Sequence, residues 1–311
     1  MGMPVIDLSG LDGENRKETM ALLRDAFENW GFFQIVNHGM PLEVMDKVKK
    51  LANAHLAALA QKKFQESELV KKLEGVKSES EVSDVDWEAC FFVQNLPIST
   101  IADAPDLSAQ LKEAVEEYVA EAIKLTEKML DLVGENLGLE KGYLKKAFSG
   151  ANGPFMGTKF AQYPSCPKAD LIKGLRTHSD AGGLILVLQD DRIPGLQFLK
   201  DGEWVDVTPL PNSIFVNTGE QLEVISNGRI KSIPHRVIAR EEGGRLSIAS
   251  FYNPASDAVI SPAEKLVYPQ NYRFEDYMKI YSGTKFAEKE PRFETMKKGG
   301  VVAPSNGQAC Y

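Results

Sequence analysis

The spacing of apolar residues changes character once along this chain, near residue 155. Before that point the period is mostly helical. "KETMALLRDAFENW" carries Leu22, Leu23, Ala26, Phe27 and Trp30 at helical spacing and stops at Gly31. "FFQIV" then predicts a short strand running into an "NHG" turn, and Pro41 opens a second helix to about residue 60. The longest periodic run is "LSAQLKEAVEEYVAEAIKLTEKMLDLVGENLG". Leu111, Val115, Tyr118, Ala122, Leu125, Met129 and Val133 form one apolar stripe opposite a Glu- and Lys-rich face, which is a core-packing pattern. The acidic stretch 76–86, "VKSESEVSDVD", predicts a solvated loop.

From 155 to about 255 the runs are short and β-rich: "TKFAQY", "LILVLQ", "LQFL", "WVDV", "SIFVNT", "HRVIA" and "RLSIASFY". Gly, Pro, Asn and Asp separate them at intervals near ten residues, with no helices between, which predicts antiparallel β-structure rather than a parallel α/β sheet. "FEDYMKIYSGTKF" returns to helical spacing and "GGVVAPSNGQACY" reads as a mobile tail. The expected fold class is α+β with a mainly β core: a double-stranded β-helix, or jelly roll, surrounded by helices. We expect one catalytic domain over 1–311, with a helix-rich part at 1–150, the jelly-roll core at 151–258 and a C-terminal helix and tail at 259–311.

Composition narrows the class. Of 311 residues, 43% are hydrophobic and 26% charged, as in a soluble globular protein, and the net charge is −8. Without a basic cluster, a nucleic-acid partner is not expected. No apolar run is long enough to span a membrane, and the start, "MGMPVIDLSG", lacks a secretory pattern. Cys90, Cys166 and Cys310 are an odd count without metal-site spacing, so free thiols in the cytosol are expected.

The chain has four histidines: His38, His55, His178 and His235. In "GLRTHSDAGG", Arg176, His178 and Asp180 occupy alternate positions and would share one face of an extended strand. His235 follows 55 positions after Asp180, on another strand run. Two histidines and a carboxylate converging from strands match the facial triad of non-haem Fe(II) oxygenases, and a three-ligand zinc site is the competing metal reading. A lone H-x-D is more often a surface feature; the apolar "LILVLQ" that follows places this one near a barrel wall. Arg245 and Ser247 in "GGRLSIASFYNP" repeat the alternation and could bind a carboxylate through a donor fork and a hydroxyl, with Phe251 as an apolar wall. An exposed edge-strand arginine is the alternative for that pair. Lys159 and Tyr163 share parity in "GTKFAQYP", although Lys159 taken singly reads as a solvated strand lysine. Gln189 and Asn217 are candidate hydrogen-bonding supports, and His38 and His55 read as structural.

"WGFFQIVNHG", "YPSCPKADLIKGLRTHSDAGG", the stretch from "QDDRIPGLQFL" to "KSIPHRV" and "RLSIASFYNP" together resemble the plant iron-dependent oxygenases related to the 2-oxoglutarate dioxygenases. Within them, "GTK" at 157–159, Arg176, "AGG" after Asp180 and "KEPRFE" are most similar to the 1-aminocyclopropane-1-carboxylate (ACC) oxidases. The resemblance implies Fe(II) held by His178, Asp180 and His235, with ACC and O2 as substrates, ascorbate as electron source and bicarbonate or CO2 as activator. It implies activator, reductant or substrate binding by Lys159, Arg176 and Tyr163, and a small carboxylate or bicarbonate held by Arg245 and Ser247. With the residue pattern, the expected catalytic residues are Lys159, Arg176, Arg245 and Ser247, and the expected substrate- or activator-binding residues are Tyr163, Gln189, Asn217, Phe251 and Arg292. Glu290, Arg292 and Glu294 match a C-terminal segment that the family needs for activity. A monomer or weak homo-oligomer is expected. The chain departs from the usual pattern at "RTHSD", "YPSCP", Glu220 (commonly aspartate) and Pro234. A 2-oxoglutarate-dependent hydroxylase or desaturase of a small plant metabolite is the alternative enzyme, and a cupin-like binder without turnover the alternative outside enzymes.

Overall fold

The computed structural model describes residues 2–65, 70, 73, 75–263 and 272–297. The expected mobile tail and Cys310 lie outside the described residues.

The first helix, α1 (Arg16–Asp25), runs into a single π turn at Ala26–Trp30 and ends at Gly31, whose φ of 73° is left-handed. Leu23, Ala26 and Phe27 are buried as the spacing predicts, but Leu22 is 51% exposed and Met20 takes the inward place. Helix α2 spans Leu42–Gln65 and α3 spans Ala109–Leu137. In α3 the Ser108 side chain accepts from the Leu111 N–H, Gly138 closes the far end in the left-handed conformation, and all seven stripe residues are buried. A short helix α4 (Tyr143–Ser149) follows, and three more lie later in the chain: α5 (Glu220–Ile225), α6 (Phe274–Thr284) and α7 (Glu290–Lys297).

Two sheets carry the core. The larger has the order β1-β2-β9-β6-β11-β4-β3, from Val5–Asp7 (β1), Phe32–Val36 (β2), Ile214–Thr218 (β9), Leu184–Gln189 (β6), Arg245–Asn253 (β11), Phe155–Tyr163 (β4) and Ala89–Leu96 (β3). The smaller has the order β5-β10-β7-β8, from Lys173–His178 (β5), His235–Ile238 (β10), Leu196–Lys200 (β7) and Glu203–Asp206 (β8). All pairings in both sheets are antiparallel except β1 with β2. The architecture is a mixed α/β fold with a multi-stranded β core and flanking helices. Strands β1 and β3 come from the part that the hydrophobic pattern assigns mainly to helix.

Alternation along each strand sorts its side chains into two layers. Leu184, Leu186, Leu188, Leu246 and Ile248 face the stripe of α3 in the main core. Ile185, Val187, Phe215 and Ala161 face Leu175, Leu196, Phe198 and Val237 of the smaller sheet in a second cluster. A third cluster gathers Phe64, Val76, Val82, Trp87, Cys166 and Ile172. That third cluster corrects the expectation of a solvated loop at 76–86: Val76 and Val82 are buried, and the segment packs down beside Trp87, whose ring stacks on Phe64 at 4.1 Å.

At Gly31 an added Cβ would stand 2.4 Å from the Lys231 carbonyl oxygen and 2.7 Å from Ile233 Cγ1. The left-handed backbone alone disfavours any L side chain there by about 1–2 kcal/mol. Gly31→Ala is therefore expected to lower the unfolding free energy by about 2 kcal/mol or more, measured by urea denaturation.

Candidate metal centre

His178 closes β5 and His235 opens β10, and the two are direct partners across the antiparallel pair. Asp180 lies just past the end of β5. One ligand atom from each of His178, Asp180 and His235 falls within 4.8 Å of the other two, and all three residues are buried. The His178 Nε2 lies 3.8 Å from Asp180 Oδ1 and the His235 Nε2 3.6 Å from Asp180 Oδ2.

The ring orientations are fixed by backbone. His178 Nδ1 is 2.8 Å from the Arg176 carbonyl oxygen and His235 Nδ1 is 3.2 Å from that of Ile233. A carbonyl only accepts, so each Nδ1 carries the proton and each Nε2 offers its lone pair to the shared space. Burial, aided by the neighbouring His235 and Lys285, holds His178 well below the usual imidazole pKa, which keeps the ring neutral. Asn217 Nδ2 donates to Asp180 Oδ2 at 2.7 Å, and Phe198 stacks on His235 at 4.7 Å. Two imidazoles and one carboxylate, oriented and desolvated, fit a facial triad for Fe(II), with one face left for other ligands.

The triad opens on a cavity of about 60 Å³ between the two sheets. Lys159 and Tyr163 on β4, Asn217 on β9, and Arg245, Ser247 and Phe251 on β11 line it with the triad. Strand parity places the β4 and β11 residues as the sequence pattern expects. Gln189 stands behind the wall, where its Oε1 accepts from Arg245 Nη2 at 2.9 Å. The Arg245 side chain is otherwise open: its Nε and Nη1 are buried without partners. Burial, with the Glu88 charge second, raises the Tyr163 pKa well above its ordinary value, so the phenol keeps its proton. His38 and His55 stay apart from this site. His38 faces the Asn212 carbonyl oxygen at 3.3 Å, and His55 meets the edge of Phe91.

Besides Gln189, two expected site residues, Arg176 and Arg292, are not in the cavity lining. The alternation of Arg176, His178 and Asp180 on one face fails, because the β5–β10 pairing slips: His235 pairs with His178, but Val237 pairs with Leu175. The extra residue in β5 is a bulge that reverses the facing of the strand. Leu175 points inward, and Arg176 forms a paired contact with Asp86, its Nε to Oδ1 and its Nη2 to Oδ2 at 3.0 Å each. Its guanidinium lies 3.9 Å from the centre of the Phe286 ring, whose edge meets His178. Arg292 is fully buried behind the segment joining His178 to Asp180, against Ser179 and Glu220.

The sequence pattern missed the acids that pair these cations. Asp86 and Glu88 flank Trp87, which is anchored by its Nε1 donating to the Ser165 carbonyl at 3.1 Å. Asp86 holds Arg176, and Glu88 Oε1 accepts from Lys159 Nζ at 2.6 Å. Burial is the largest influence and works against the Lys159 ammonium, but the neighbouring acidic groups together, Glu88 foremost, outweigh it and raise the lysine pKa above its usual value. The signal was present as acid, Trp, acid in "DVDWEAC", on either side of an aromatic anchor. Lys285 was also missed. Burial and the nearby Lys159 charge lower its pKa.

Two family models match the chain: the 2OG-Fe(II) oxygenase superfamily over residues 153–254, and the non-haem dioxygenase in morphine synthesis N-terminal model over residues 3–111. A 1-aminocyclopropane-1-carboxylate oxidase of Prunus mume is 55% identical, covering 94% of each chain. The 1-aminocyclopropane-1-carboxylate oxidase 3 of Arabidopsis thaliana is 54% identical over 97% of this chain and 95% of its own. The chain belongs to the ACC oxidase family. As a family member with an intact triad, it is a non-haem Fe(II) oxidoreductase. The solved structure of JOX2 in complex with 2OG, Fe and JA is similar at a TM-score of 0.78, with 30% identity over 98% of this chain and 90% of that one. A dioxygenase for auxin oxidation from rice shares the fold, with a TM-score of 0.71, 24% identity, and coverage of 92% of this chain and 98% of its own.

Removing one partner of the half-buried Lys159–Glu88 pair leaves the other charge poorly solvated. Glu88→Gln is expected to cost about 1–3 kcal/mol of stability, and adding Lys159→Met to it should recover part of that. A thermodynamic double-mutant cycle measures the coupling. The lysine's contribution is expected to be complete at neutral pH and to be lost as the pH rises past the ordinary lysine pKa of about 10.4, because the folded-state lysine pKa is raised.

Proposed function

We propose that the protein oxidises ACC to ethylene, cyanide and CO2, using O2 and ascorbate, with bicarbonate or CO2 as activator. The observation that carries this reading is a small cavity in which the triad faces a buried guanidinium with two unused donors. Such donors call for a small carboxylate or bicarbonate, because a buried unpaired donor carries a desolvation penalty that an acceptor relieves. The 54–55% identity to ACC oxidases over nearly the whole chain selects the amino acid among small carboxylates.

The redox balance explains the reductant. Conversion of ACC to ethylene, cyanide and CO2 releases two electrons and two protons, whereas reduction of O2 to two waters takes four of each. Ascorbate supplies the other two electrons. Fe(II), held by His178, Asp180 and His235, supplies the site at which substrate and O2 meet and electrons pass. The protein's own groups bind and orient. Arg245 Nε and Nη1 donate to a carboxylate-like oxygen, and the Ser247 hydroxyl adjusts to it. Tyr163 remains a neutral donor, and Lys159 remains charged through Glu88. Phe198, Val187 and Phe251 exclude water from the reacting atoms.

The same reading makes the two sheets the halves of a double-stranded β-helix within one catalytic domain, working in the cytosol as a monomer or weak homo-oligomer. In support, no helix among the described residues is long and apolar enough to cross a membrane. A second reading, a 2-oxoglutarate-dependent hydroxylase or desaturase, is favoured by the Arg245–Ser247 pair alone.

Gas chromatography of ethylene, omitting iron, ascorbate, bicarbonate or 2-oxoglutarate in turn, tests the proposal. Ethylene is expected to depend on iron and ascorbate, to rise with bicarbonate and to ignore 2-oxoglutarate. Succinate release coupled to O2 uptake would establish the second reading instead. His178→Ala and Asp180→Ala are each expected to cut ethylene formation by at least ~100-fold, since even groups outside the ligand set cost about 10–100-fold when lost.

A further inference from the structure

The segment joining His178 to Asp180 is a single residue, Ser179, and it is held from behind by the C-terminal helices. Tyr281 on α6 donates its hydroxyl to the Ser179 carbonyl at 2.6 Å. Arg292 on α7 donates from Nη2 to Ser179 Oγ at 2.9 Å and to Glu220 Oε1. Its Nη1 donates to the Thr284 and Ala287 carbonyls, which fixes the turn between α6 and α7. Glu220 returns to the ligand segment twice: its side chain accepts from Ser179 Oγ, and its backbone N–H donates to the Asp180 carbonyl at 2.8 Å.

A second pair repeats the arrangement at the third ligand. Lys289 Nζ lies 2.6 Å from Glu223 Oε2 and also donates to the Ser232 carbonyl. Glu223 Oε2 accepts the Ser232 N–H at 2.9 Å, three residues before His235. Glu220 and Glu223 are three apart on α5, and Lys289 and Arg292 are three apart on the C-terminal segment. Two ion pairs therefore run side by side from the C-terminal segment through α5. One ends on the His178–Asp180 segment and the other on the approach to His235.

Burial makes their purpose specific. Arg292 and Glu220 have side chains only 1% and 0% exposed. A buried pair of this kind often contributes no more stability than an apolar pair of the same volume, because desolvation consumes the Coulombic gain. What it does provide is directional contacts on both ligand-bearing segments.

We propose that the C-terminal segment is the structural back of the metal centre. Arg292 and Lys289 act through Glu220 and Glu223 as positioning residues that set the spacing of the ligand segments, and hence metal affinity and coordination geometry. Arg292 on this assignment touches neither substrate nor activator. The inference rests on the triad and is independent of which substrate is used.

Titration of the metal-free full-length protein with Co(II), read by its visible absorption, tests the assignment without turnover. Two charge-neutral double variants serve: Glu220→Gln with Arg292→Met, and Glu223→Gln with Lys289→Met. Each is expected to retain its far-UV circular dichroism and to bind Co(II) roughly 10–100-fold more weakly, with altered absorption bands. Arg292→Lys should recover part of the affinity. Unchanged Co(II) affinity and bands in either folded double variant would overturn the proposal. Failure of both to fold would also overturn it, because the pairs would then be folding elements rather than settings of the metal site. If Co(II) binding weakens as expected while ACC yields no ethylene in the parent protein, the clamp stands and only the substrate assignment falls.

Discussion

Two imidazoles and a carboxylate brought within 4.8 Å of one another, away from water, need every remaining polar atom accounted for. That demand organises the region around the cavity. Backbone carbonyls take both Nδ1 protons, Asn217 takes one oxygen of Asp180, and Phe198 covers the His235 ring. The result is a preset ligand face, because the tautomer of each ring is decided by chain geometry.

The same requirement extends to the cations. Lys159, Arg176 and Arg292 each meet a carboxylate, from Glu88, Asp86 and Glu220 respectively. Arg245 differs, because among the described residues its only side-chain hydrogen-bond acceptor is the neutral Gln189 and two of its donor nitrogens remain unused. Where those three cations are neutralised by carboxylates, this one faces the cavity with donors to spare. The segment around Trp87 supplies two of the acids, so an apolar cluster outside the cavity lining fixes the charges beside the triad.

Much of the fold was legible because it rests on period. The stripe of the long helix is buried as its spacing requires, and the seven β-rich runs all form strands. On β4 and β11, alternate residues from Lys159 to Tyr163 and from Arg245 to Phe251 reach the cavity, since an uninterrupted strand keeps its parity. On β5 the same rule misplaced Arg176, because one bulged residue reverses a strand and leaves no mark in composition. The segment 76–86 was misjudged for a related reason. Its acids suit solvent, and only the docking of Val76, Val82 and Trp87 shows that the chain lies down.

By itself, the sequence determined the candidate metal ligands, the β core and the strand that brings Arg245 and Ser247 to one face, since four histidines, strand alternation and a short set of motifs leave few other arrangements. Tertiary structure alone decided the pairing of charges. Asp86 lies 90 positions from Arg176 and Glu220 lies 72 from Arg292, and no local pattern links such partners. A side chain's periodicity is a property of its own few neighbours, but the acid that neutralises a buried cation is chosen by whichever distant segment packs against it.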